Sequence, residues 1–326
     1  MRDFTLRFED LTTVGSDLRR PECVLTTACG DLYVSDARGG VTRIAPDGSA
    51  TLFRGETEDG QLLGANGFAM LADGSFLVAP LIGGGVFRLQ RDGQASLFLG
   101  EADGVTLDCP NFVLLDHGER IWICTLTQAD RRTLSVYPRS QRDGLIVLVD
   151  KKGARIVAQG VGYPNEVRVD PTGQYLYANE TTAARLLRYR IAADGSLGAP
   201  EVVAEFDESN LFDGFTLDSQ GGAWITTLIS NRLWHVPLGG KPRLLIEDAE
   251  PDQVRRLTEM QRGDGLHKSM IYEEHGLTLR NISSVAFGGP DLKTAYLGNL
   301  MGSELFSFRS PVVGIEPAHW DFGPFN

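Results

Sequence analysis

Cysteine and histidine are scarce in this chain, at four and five of 326 residues. Cys23, Cys29, Cys109 and Cys124 lie in or beside predicted strands and none belongs to a CxxC pair, which sets aside thiolate zinc motifs and points to buried, reduced thiols. Long apolar runs are missing as well; the longest are strand-sized, so no membrane span is expected. Positive charge is in deficit, 31 Lys and Arg against 43 Asp and Glu for a formal net charge of -12. That leaves no basic face to neutralise phosphates and argues against a nucleic-acid partner. The first ten residues carry charges where a signal peptide needs an apolar core, so a cytoplasmic protein is expected. A Gly-x-Ser-x-Gly elbow is absent too, which counts against a serine-nucleophile hydrolase.

What is present is a hydrophobic fraction of 42% with 23% charged residues, enough for a substantial core, and 38 glycines placed at turns. Glycines so distributed favour many short strands over long helices. The stretch from Tyr163 to Asn179 shows the pattern: Val167 and Val169 alternate with polar neighbours, Asp170-Pro171-Thr172-Gly173 turns the chain, and Tyr175-Leu176-Tyr177 runs back. The same pattern recurs from Glu22, Asn66, Asn111, Asp213 and Ser283. These openings, with Asn165, are separated by 44, 45, 54, 48 and 70 positions. The longer intervals contain insertions at about 128–143 and 247–280, the second opening on a predicted helix over Glu250 to Met260. Without them the period is near forty-five, and six four-stranded units of that length predict an all-β, six-bladed β-propeller filling 1–326 as one domain. Phe4 to Phe8 is expected to supply the outer strand that closes the last blade.

Equivalent positions in successive blades sit at equal radius, so Glu22, Asn66, Asn111, Asn165, Asp213 and Ser283 are predicted to converge on the mouth of the channel. Buried oxygens without partners are costly, and a purely structural ring would more plausibly be apolar. Two carboxylates with neutral amide oxygens suit a hard divalent cation. A hydrogen-bonded polar plug with channel water is the other reading of the same ring.

The chain resembles the regucalcin/gluconolactonase (senescence marker protein) family of six-bladed propellers, whose relatives include diisopropyl fluorophosphatase. The resemblance rests on Pro21-Glu22, Pro164-Asn165, Phe212-Asp213-Gly214 with Gly222-Ala223-Trp224, and Phe287-Gly288-Gly289-Pro290-Asp291-Leu292 with Ala295-Tyr296-Leu297, in order and at blade spacing. It implies one divalent metal ion on Glu22, Asn165 and Asp213, with Asn111 as a further ligand or a substrate contact. Calcium is the expected ion, with zinc, manganese and magnesium as alternatives. Such an ion can polarise a lactone or ester carbonyl and lower the pKa of bound water, with Asp213 or Glu22 as general base. A phosphotriesterase-like activity on the same ion, or a non-catalytic metal-binding scaffold, are the other readings.

Asn66, Asn111 and Arg131 are the expected substrate contacts. Arg131, Arg132, Tyr137 and Arg139 of the third-blade insertion can bind a substrate carboxylate or form a solvated loop. His117 is expected on a surface turn and His235 in a strand; His267 and His275 reach substrate only if their insertion folds over the channel. The family's sugar lactonases carry Arg and Asp around the third-blade Asn and Gly after the fourth-blade Asn. Cys109, Phe112 and Glu166 stand there instead, which implies a lactone or ester less polar than an aldonolactone.

Overall fold

The computed structural model describes residues 4–130, 135–263, 265–273 and 278–323. The repeat becomes six four-stranded antiparallel sheets around one axis, a six-bladed β-propeller. The first blade runs Val24–Thr26, Leu32–Asp36, Gly40–Ile44 and Ala50–Arg54; the second, Ala65–Met70, Phe76–Pro80, Val86–Leu89 and Ala95–Leu99. The third comprises Pro110–Leu115, Ile121–Thr125, Gly144–Asp150 and Gly153–Val161, and the fourth Pro164–Val169, Tyr175–Glu180, Arg185–Arg190 and Glu201–Glu205. Leu211–Leu217, Ala223–Leu228, Arg232–Val236 and Arg243–Glu247 build the fifth. In the sixth, Ile282–Gly288, Thr294–Asn299 and Leu305–Arg309 come from the end of the chain and Thr12–Val14 from its beginning.

Local chemistry explains the hairpins. Asp47, Asp73, Asp92 and Asp194 each accept a bond from the backbone N–H two residues on, and the Gly between takes positive φ, 85° at Gly48 and 86° at Gly195. That is an Asx turn closed by the one residue with no penalty there. In the third and fifth blades an Asp at the turn also holds a buried indole, Asp116 accepting from Trp122 Nε1 at 2.8 Å and Asp218 from Trp224 Nε1 at 3.0 Å. Apolar side chains fill the spaces between blades, Phe68, Phe76 and Trp122 between early blades and Trp224, Phe287 and Leu297 between late ones.

The ring closes differently from expectation. Phe4 to Phe8 is not the outer strand; Thr12–Val14 is, with Thr12 opposite Ser307 and Val14 opposite Leu305. Phe4 lies 6.4 Å from both Trp224 and Phe308, and Leu6 N–H donates to Leu245 O at 3.0 Å, so this segment seals the junction of blades five and six. Phe8–Asp10 then turns, and β-branched residues take the edge.

The second insertion carries the helix Pro251–Arg262, with Pro at its start, Asp252 in the first turn and Arg262 in the last, as the helix dipole favours. A short ribbon pairs the two insertions, Val136 opposite His267 and Tyr137 opposite Leu266. No described helix is long and apolar enough to cross a membrane.

Candidate active site

The innermost strands do not pair regularly. Register shifts fall between Ala65 and Phe68, Pro110 and Phe112, Pro164 and Val167, Phe212 and Phe215, and Ile282 and Ser284. Each shift brackets one predicted ring residue: Asn66, Asn111, Asn165, Asp213 or Ser283. A bulge leaves a residue unpaired and re-aims its side chain, here toward the axis. Close approach of neighbouring strands fixes the next position in two blades. A Cβ on Gly67 would lie 2.6 Å from Asn111 O, and one on Gly214 would lie 2.5 Å from Ser283 O.

Glu22, Asn66, Asn111, Asn165 and Asp213 line one cavity of about 70 Å³ at the hub. Asn66 Nδ2 donates to Asn111 Oδ1 at 2.9 Å, Asn111 Nδ2 to Asn165 Oδ1 at 3.0 Å, and Asn165 Nδ2 to Asp213 Oδ1 at 2.6 Å. Three amides thus relay donated bonds into one carboxylate. On the other side of the ring Arg20 pairs with Glu22 Oε2, and Ser283 Oγ donates to Glu22 O at 3.2 Å. Each carboxylate therefore keeps one oxygen outside these bonds. Asp213 Oδ2 is buried with no hydrogen-bond partner among the described residues.

Burial, then the nearby charges of Glu22 and Glu166, push the Asp213 carboxyl well above the usual carboxylate range, against the pull of Arg20 and the Asn165 bond. A cation would relieve that cost. The donor set, two carboxylates with amide oxygens, is hard and fits a divalent ion such as calcium, with Glu22 Oε1 and Asp213 Oδ2 as the oxygens to meet it. Among the described residues no cluster of three His, Cys, Asp or Glu side chains is placed to hold a metal, so any site here depends on the amides.

Directly below the ring lies a pair the pattern of the innermost strands did not single out. Glu166 accepts from Arg168 at 2.6 Å and from Phe215 N–H at 3.1 Å, and its Oε1 fills the space beside Gly214 that a side chain there would need. Arg168 sits over the Phe112 ring at 4.5 Å and the Phe215 ring at 5.6 Å. Burial pushes Glu166 up to about 7 despite that partner. Glu166 and Arg168 alternate in a strand otherwise apolar at its centre; the signal was two opposite charges on one pleat face.

Arg131, Arg132 and His275 lie outside the described residues. Arg139 instead pairs with Glu208 at 2.7 Å, tying the third-blade insertion to the fifth blade's approach. His117 is exposed on its turn and bonds Glu316 O at 2.8 Å, His235 is buried against Asp218 at 3.0 Å, and His267 is exposed on the ribbon. None of these three lines the hub cavity.

The family model for the SMP-30/gluconolactonase/LRE-like region matches residues 20–247. The chain belongs to this SMP-30/gluconolactonase family. Among its relatives, the pentonolactonase XacC of Haloferax volcanii is 29% identical over 52% of this chain and 49% of its own length. The chain spans about half the length of the curated relatives it matches. Two solved family propellers superpose on nearly all of it. A gluconolactonase from Xanthomonas campestris gives a TM-score of 0.66 at 19% identity, covering 92% of this chain and 89% of that one. A calcium-binding regucalcin from Agrobacterium tumefaciens gives 0.60 at 16%, covering 93% and 91%. At those identities the structures speak for the fold.

Proposed function

We propose that this member of the family is a divalent-metal-dependent hydrolase that opens a lactone or related ester at the hub. The observation that carries the reading is the pair of half-engaged carboxylates, above all the buried and unpartnered Asp213 Oδ2. Glu22, Asn165 and Asp213 would hold the ion, with Asn111 beside them, and calcium is the first candidate because every donor is a hard oxygen. Bound there, the ion supplies Lewis acidity to the substrate carbonyl.

The chain's own groups do the rest. The amide relay from Asn66 through Asn111 and Asn165 fixes the orientation of the Asp213 carboxylate. The Asp213 carboxylate, held by that relay, would accept a proton from an attacking water. The water oxygen bonds to the carbonyl carbon, the ring C–O bond breaks, and the proton taken by the carboxylate passes to the departing alkoxide, leaving a hydroxy acid. Relatives named as lactonases support the reaction class.

Lactone hydrolysis followed by acid release checks the proposal. Chelation is expected to abolish turnover and added calcium to restore it, while Asp213→Asn lowers kcat/KM by about 10³-fold. Turnover unchanged by chelator and by that variant overturns the reading.

A further inference from the structure

Glu22 reaches the hub by a different route from the rest of the ring. The other members sit at bulges inside innermost strands, whereas Glu22 lies ahead of Val24–Thr26, in the turn Arg20-Pro21-Glu22. Arg20 takes a positive φ of 54°, the ring of Pro21 fixes the φ that follows, and Glu22 N–H donates to Arg20 O at 2.8 Å. Blade six grips this turn. Asn299 N–H donates to Pro21 O at 2.9 Å, and the hydroxyls of Ser283 and Ser284 both donate to Glu22 O. Gly298 makes the approach possible, since a Cβ there would lie 2.6 Å from Pro21 O.

The turn sets two side chains of opposite charge next to each other. Arg20 Nη1 pairs with Glu22 Oε2, both side chains are mostly buried, and both line the hub cavity. The charge of Arg20 also reaches Asp213, where it opposes the cost of burial. A guanidinium held in a gripped turn thus serves the same two carboxylates that a cation would.

We propose that Arg20 is a built-in stand-in for the ion, an inference that rests on the metal reading above. Without an ion it holds Glu22 in place and offsets the negative charge of the hub. When an ion arrives, Oε2 stays with Arg20 and Oε1 is left for the ion. Like charges then repel across one carboxylate, which weakens ion binding. Loading is therefore graded with free calcium instead of permanent.

The test compares the wild type with Arg20→Met, which keeps an unbranched side chain and removes the charge. Calcium affinity is read by titration calorimetry, and Tm in chelator and in saturating calcium. The variant is expected to bind calcium at least about tenfold more tightly. Its loss of Tm in chelator should be at least about twice its loss in calcium, because an ion that supplies the missing charge restores the hub. Equal or weaker binding by the variant, or equal Tm losses in the two conditions, overturns the stand-in role and leaves the hydrolase intact. Calcium binding by the variant alone supports the role and removes the metal-dependent reading. Binding by neither protein overturns both. A variant that folds only with calcium supports the role. If it folds in neither condition, Arg20→Lys decides, since it keeps the charge without the planar fork. Calcium affinity within about threefold of wild type is then expected, and a larger change in either direction overturns the role.

Discussion

The two mouths of the channel are built on opposite plans. At the upper mouth, charged and amide side chains meet with bonds left unmade, and residues just ahead of the ring, Arg20, Tyr163 and Asn281, hold positive φ of 54°, 51° and 64°. Such conformations cost roughly 1 kcal/mol or more in a residue with a side chain. At the lower mouth the C-terminal segment crosses the opening and meets its bonds with backbone: Gly314 bridges Asp218, Ser219 N–H donates to Val313 O at 2.8 Å, and Ala28 N–H donates to Trp320 O at 2.8 Å. The cavity it covers, about 120 Å³, is walled largely by Val24, Leu25, Phe68, Phe112, Val285 and Phe287. The lesson is a division of labour. Both mouths leave a buried polar atom unmet, His319 Nε2 below and Asp213 Oδ2 above, but only the upper one stands in a ring of converging polar side chains.

The largest effect should come from the pair between the two ends. Arg168, itself part-exposed, pairs with the buried Glu166, so Arg168→Ala leaves that buried carboxyl group without its partner. A loss of about 3–5 kcal/mol in urea unfolding is expected. The double variant Arg168→Met with Glu166→Gln should recover most of it, because no charge is then stranded. If Arg168→Ala costs less than about 1 kcal/mol, the channel centre is wetter than its burial indicates and the contrast between the mouths weakens.

A smaller effect separates the lower mouth. His319 sits in the crossing segment with Nε2 sealed and unpartnered, and burial, with help from His117 and Arg168, drives its pKa down to about 4. A histidine depressed in the folded state supports stability above its unfolded value near 6.5. That support is lost as pH falls toward 4. Acidification should therefore cost about 2 kcal/mol and loosen the segment first, read as faster proteolysis near Trp320. His319→Phe should flatten the profile. Wild type and variant with the same acid profile would show that the lower mouth is not held by this neutral ring.

How much of this was legible follows from which contacts are local. The blades were, because turn chemistry and strand alternation repeat at a fixed period, and so was the ring, because each member opens an innermost strand. The closing strand was placed too early, since Phe4 and Leu6 look like strand residues but bury between blades while Thr12–Val14 takes the edge. The ribbon was invisible as a unit: the pairing of Val136 with His267 joins two insertions with no shared local pattern. Glu166 registered only as a departure from glycine, because its partner space belongs to Gly214 on the next blade. His319 lies beyond the last repeat, where periodicity offers no guide.

The smallest effect sharpens the contrast most. If the upper mouth is kept strained for chemistry, easing it should make the metal-free protein more stable while the catalyst is lost. Asp213→Asn keeps the shape of the side chain and removes a charge that burial, Glu22 and Glu166 all oppose. In chelator, above the raised pKa of the carboxyl, the variant is expected to gain about 1 kcal/mol. Below its raised pKa the wild-type carboxyl is already neutral, so the gain should shrink as pH falls. With calcium in excess the order should invert, since an ion that binds only the folded wild type stabilises it by mass action. A variant less stable than wild type in chelator would mean that Asp213 holds the hub together without any ion, and the two mouths would then differ in polarity alone.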